Sequence, residues 1–300
     1  MAGYFPETSM AVRALRQRAV SLTYGQRALV IGATHPVLFQ GTAQHTSHRQ
    51  TPYTRLGLTA RLFEATFLGD REEADRALAF TAKRHAPVQG AIAEDGGAHY
   101  PAGTTYSAHE PELMWWTAAF TLDSVEFMHD AMVHRLTAGE REGLFEDFVA
   151  WAVMFGMPAD TAPSSYAAFR TEYDAWMDSD APYLVPEAQL IGEHIAGVHG
   201  YGLPGALVTS PTLATVVQGS LPRTVRAMFG IDWGRRDQLA YEAITRASRI
   251  AHQRVPLLAA TPLLRGRSAE FYKVVARGEQ ALIRRGGVSI PGVSDRTDVA

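Results

Sequence analysis

PELMWWTAAFTLDSVEF, residues 111–127, decides the class of fold. Pro111 suits the first position of a helix, where no backbone donor is needed and φ is already helical. Leu113, Trp116, Phe120 and Phe127 then recur at intervals of three, four and seven, which puts them on one face of an α-helix. Asp123 falls on the same stripe. A buried carboxylate needs partners, so Asp123 is expected to be tied to backbone or an arginine rather than to act in catalysis. The aromatic residues either pack the core or wall a flat ligand, with core packing the default.

The same signals extend in both directions. Leu58, Leu62 and Ala65 or Thr66 recur at helical spacing between Thr54 and Phe67. Asp70 with Glu73 forms a capping box for a helix ending near His85, because Ala86 before Pro87 is pushed out of the helical region. Residues 92–105, rich in Gly and Ala, read as a loop. Thr137 and Glu140 form a second capping box, for a helix towards Phe155. Further helices are predicted at 166–177, from Pro186 to Ile195, at 221–229 and 235–254 as a hairpin, and at 268–284, with a loop at 197–211. No repeat or linker interrupts this pattern. The expectation is an all-α fold: a single multi-helix domain over residues 1–285, followed by a flexible tail over 286–300.

Composition narrows the chemistry. The chain has 300 residues, a net charge of −3 and no cysteine. Disulfides, zinc–thiolate sites, iron–sulfur clusters and cysteine nucleophiles are therefore excluded. No electrostatic footprint for nucleic acid is present. No apolar run is long enough to span a membrane and no secretory signal precedes the first helix, so a cytoplasmic location is expected. The glycine-rich dinucleotide fingerprint, the phosphate-loop lysine motif and Gly-x-Ser-x-Gly are all absent.

Two constellations of polar residues remain. His35, His45 and His48 lie close in sequence, and His45 and His48 are three apart. They read either as caps and hydrogen-bonded loop histidines or as ligands of a non-haem metal enzyme; a structural site usually needs four ligands. Arg55 and Thr59 are four apart and share one helical face, and His85 follows on the next helix, on the face of Leu78 and Thr81, with its ring expected to point inward. An inward histidine is either a satisfied core residue or a ligand.

The order of several segments is informative. They are Ala33-Thr34-His35-Pro36 with Gly41, His45-Thr46-Ser47, Thr51-Pro52-Tyr53-Thr54-Arg55-Leu56 with Thr59, Arg84-His85-Ala86-Pro87-Val88-Gln89-Gly90, Glu110 to Trp116 with Asp123-Ser124, and Leu221-Pro222-Arg223. In this order the chain resembles the oxygenase family of the mycophenolic-acid pathway oxygenase and the latex-clearing rubber oxygenases. The resemblance implies an all-α fold holding haem b, with His85 as the iron ligand and Arg55 and Thr59 on the opposite, catalytic side. Arg55 would pair with a propionate or with developing negative charge, and Thr59 would donate a hydrogen bond towards oxygen. Trp116 would contribute to the cofactor pocket. The basic residue that relatives place before the threonine is Leu58 here, and a histidine found two residues after the helix tryptophan is Ala118. The implied activity is haem-dependent oxygenation of a small apolar substrate, olefinic or aromatic, with dioxygen or peroxide as oxidant and a homodimer as a possible assembly. A non-catalytic haem- or lipid-binding protein is the other alternative.

Overall fold

The computed structural model describes residues 3–46, 51–198, 210–255, 261–287 and 290. Helices dominate it, and the one sheet among these residues has two three-residue strands. Four short helices open the chain: α1 (Met10–Leu15), α2 (Arg18–Ser21), α3 (Tyr24–Gly32) and α4 (Pro36–Gln44). The hairpin of α5 (Pro52–Leu68) and α6 (Arg71–His85) follows, turning through Gly69 and Asp70. Strands β1 (Gln89–Ala91) and β2 (Thr105–Ser107) pair antiparallel, Gly90 opposite Tyr106, at the two ends of the predicted loop.

The quoted segment forms α7 (Pro111–Met132), with Pro111 in its first turn. Its burial is broader than one stripe: residues from Ala118 to Glu126 are buried without interruption, so α7 runs through the centre of the molecule. Phe127 is the exception. It sits at the surface under the guanidinium of Arg27, 4.5 Å from the ring centroid. Leu58 is likewise exposed rather than packed.

The remaining helices are α8 (Ala138–Met154), α9 (Tyr166–Met177), α10 (Pro186–Ala196), α11 (Pro211–Ser220), α12 (Arg223–Met228), α13 (Arg235–Arg254) and α14 (Ala269–Arg284). The capping box of α8 is complete, with Thr137 and Glu140 bonded reciprocally. That of α6 is only half formed. Asp70 accepts from the Glu73 backbone at 2.8 Å, but the Glu73 carboxylate is held by both terminal nitrogens of Arg267, at 2.6 and 3.0 Å. A bidentate guanidinium outcompetes a single backbone N–H.

One apolar cluster joins α1, α3, α7, α8, α9 and α10 and extends to Ile231. A second holds α14 against α5 and α11 through Tyr53, Leu56, Val217, Tyr272 and Val275. Glu279, buried on α14, accepts from the Thr54 backbone and hydroxyl at 2.7 Å each, which fixes the start of α5. No helix among the described residues is long and apolar enough to cross a membrane. Most of the predicted 197–211 loop and all but Gly286, Gly287 and Ile290 of the predicted tail lie outside the described residues.

Candidate active site

A cavity of about 260 Å³ opens between α3, α4, α5, α7 and α10, with Tyr272 of α14 on its wall. Its shape follows from small residues. Gly25, Ala28 and Gly32 recur at helical spacing on α3, and Ala43 and Ala60 face them from α4 and α5. Leu38, Phe39, Phe63, Phe120 and Ile191 make most of the remaining wall apolar. On the α10 side Gly192 is obligatory, since a Cβ there would lie 2.3 Å from the Phe229 ring.

Arg55 and Thr59 both line this cavity, one helical turn apart. Burial pushes the Arg55 pKa down, yet a guanidinium stays protonated in any protein environment. No ion pair or side-chain hydrogen bond engages Arg55 among the described residues; the chamber it faces is mostly apolar, with Glu187 the carboxylate in its lining. A partly buried cation without an ion pair suits an anionic partner.

His85 is not part of the cavity lining. It is the last residue of α6, and its side chain is exposed rather than turned into the core as its helical face suggested. Only Ala74 and Ala77 of α6 are fully buried, because the helix meets the molecule through its first half. His85 lies about 21 Å along α6 from the turn, and Arg55 about 20 Å back along α5, so the two stand level on the hairpin. Partial burial, and then the neighbouring His109, hold the His85 pKa below its usual value and keep the imidazole neutral. A neutral imidazole has a lone pair free for a metal.

Trp116 also lies outside the lining, while Thr117, Phe120 and Thr121 reach it. Trp116 packs one layer behind, 4.9 Å from Trp176 and 5.5 Å from Phe120 between ring centroids. Ala118 is fully buried in the core.

The histidine cluster does not converge. His35 is buried, caps α4 by accepting from the Leu38 backbone at 3.4 Å, and stacks on Trp176 at 5.6 Å. Burial pushes its pKa down to about 4. His45 bonds the Tyr106 hydroxyl at 3.1 Å. His48 lies outside the described residues, and among the described residues no three His, Asp or Glu side chains are grouped to hold a metal ion. Asp123 is tied into the core by Arg27, Arg170 and Tyr173, the structural role its spacing suggested.

The frame is mostly helical, and the wall of its apolar-lined chamber carries Arg55. A family model described as "ER-bound oxygenase mpaB/B'/Rubber oxygenase, catalytic domain" matches residues 12–250, and the chain belongs to that family. Among curated proteins it is similar to the uncharacterized proteins Mb2261 of Mycobacterium bovis and Rv2237 of Mycobacterium tuberculosis. Each is 24% identical over 158 residues, 51% of this chain and 59% of the relative. The match thus spans less than two thirds of these relatives. No solved structure matches.

Proposed function

We propose that this protein is a haem-b-dependent oxygenase that oxidises or cleaves a small apolar substrate, olefinic or aromatic, held beside Arg55 and Thr59. The carrying observation is the Arg55 guanidinium, partly buried on the wall of a mostly apolar chamber and without an ion-pair partner among the described residues. Haem b would have to bridge Arg55 on the chamber wall and His85, which stands outside the lining at the exposed end of α6. The haem propionates are the carboxylates Arg55 lacks, and His85, neutral and level with Arg55, is a suitable iron ligand. Bound there, haem would supply an iron centre able to activate dioxygen or peroxide.

The chain's own residues divide the remaining work. Arg55 would hold a propionate and supply positive charge at the rim of the chamber. The Thr59 hydroxyl, one turn on, would donate a hydrogen bond towards the oxidant. Leu38, Phe39, Phe63 and Ile191 would bury the substrate and exclude water, so that charge on the Arg55 side is felt strongly. Thr117 and Thr121 offer polar edges, but their hydroxyls already bond the Leu113 and Thr117 carbonyls.

Absorbance of protein expressed with ample haem tests this reading. A Soret band is expected, and acid–acetone should extract the pigment completely, because without cysteine the haem cannot be attached through thioethers. His85→Ala should lose most of its haem and recover it with added imidazole. A colourless wild type overturns the haem reading, and equal haem content in His85→Ala moves the ligand elsewhere.

A further inference from the structure

We propose that the outer face of α14 and the turn before it dock on an anionic lipid surface. Residues 261–287 carry six Lys and Arg against two Glu, in a chain whose net charge is −3. The two acids do not offset this on the surface. Glu279 is buried and bonded to the start of α5, and Glu270 is paired with Lys273. The inner face of α14, Tyr272, Val275 and Glu279, is fully used. The outer face presents Phe271 at 37% exposure and Val274 at 60%, with Leu263 at 69% in the preceding turn. Arg277, Arg284 and Arg285 are exposed at helical spacing from Val274, and none of them has an ion-pair partner among the described residues.

Exposed apolar side chains interleaved with unpaired arginines match a headgroup boundary, where the apolar groups enter the acyl region and the cations meet lipid phosphates. Phe271 already carries the Arg18 guanidinium over its ring, 4.9 Å from the centroid, and a nucleic acid would leave the aliphatic Leu263 and Val274 without partners. The placement also has a consequence for the chamber. Tyr272, next to Phe271, is on the cavity wall, and α14 packs along α5, which carries Arg55 and Thr59. Docking through α14 would set the chamber's outer wall at the lipid, a short path for an apolar compound that partitions there. The docking does not depend on haem.

Co-sedimentation of the full chain tests the proposal, with vesicles of phosphatidylcholine alone and of phosphatidylcholine containing phosphatidylglycerol. Pelleting is expected with the anionic vesicles only, falling as salt rises. Arg284→Gln with Arg285→Gln should weaken partitioning roughly twenty- to thirtyfold, about fivefold for each cation removed. Val274→Asp should weaken it independently, with circular dichroism verifying that each variant is folded. Absence of pelleting, or equal pelleting on both vesicle types, overturns the proposal. So does a stable dimer that Val274→Asp converts to monomer, because a second copy would then cover this face.

Discussion

Arg27 and Asp123 meet at 2.5 Å, Nη1 to Oδ2, where both side chains are nearly sealed from solvent. The same Nη1 also bonds the Ser124 hydroxyl at 2.9 Å and Nε donates to the Ser220 carbonyl at 3.1 Å, tying α3 to α7 and to the end of α11. Asp123 also accepts from Arg170 at 2.6 Å and from the Tyr173 hydroxyl at 3.1 Å. Removing one partner of a buried pair leaves the other charge uncompensated. Asp123→Ala should therefore cost about 3–5 kcal/mol of stability. Asp123→Asn keeps the shape and some hydrogen bonds and should cost less. Urea unfolding read by tryptophan fluorescence checks both, and a loss under about 1 kcal/mol for Asp123→Ala would remove the network's structural role.

Stability should fall in two stages on acidification. Burial holds His35 and His129 at about 4, while an unfolded histidine titrates near 6.5. Between these values the unfolded chain binds protons that the folded chain refuses, so the stability present above pH 6.5 is lost as pH falls towards 4. Each ring contributes a loss of about 2 kcal/mol by pH 5. Asp123 acts lower. Burial alone would raise its pKa, but the charges of Arg27 and Arg170 outweigh it and hold the carboxyl below its usual value. Its contribution is present above the unfolded value and disappears as pH drops through the folded one. Urea midpoints measured from pH 7.5 to 4 should show the histidine stage, and His35→Phe should flatten it by about a third to a half. A midpoint independent of pH between 7 and 5 would contradict this.

Helices with a proline or a full cap at the start were legible, α7 at Pro111 and α8 at Thr137 among them, because those groups satisfy the orphan backbone donors locally. The short helices α1 to α4 and α11 were not, even where Pro36 and Pro211 open them, since four to ten residues give too little periodicity to separate from a loop. The site was legible in part. A spacing of four places Arg55 and Thr59 on one wall, whereas His85, expected to point inward, is exposed at the end of α6 and outside the lining. The chamber itself was hidden. Gly25, Ala28 and Gly32 lie on one face of α3, and only the arrangement of α4, α5 and α10 around α3 leaves space beside them.

The α5 wall separates two roles, which variants can resolve. Thr59→Val preserves volume and removes the hydroxyl, so haem content should be unchanged while the ferric protein's affinity for azide drops. A hydrogen bond to a charged acceptor is worth about 1.5–3 kcal/mol, which corresponds to roughly tenfold to a hundredfold in affinity. Arg55→Ala should instead lower haem retention, because its guanidinium has no protein partner and its loss costs the fold little. Leu58 is 42% exposed, so Leu58→Lys should leave stability within about 0.5 kcal/mol, including the weak repulsion from Arg55 three residues away. The added cation would restore the basic residue that relatives carry before the threonine, and azide affinity should rise. Haem titration and azide difference spectra on the three variants give the outcome. Loss of haem in Thr59→Val, or unchanged azide affinity in both Thr59→Val and Leu58→Lys, would place the oxidant's side away from α5.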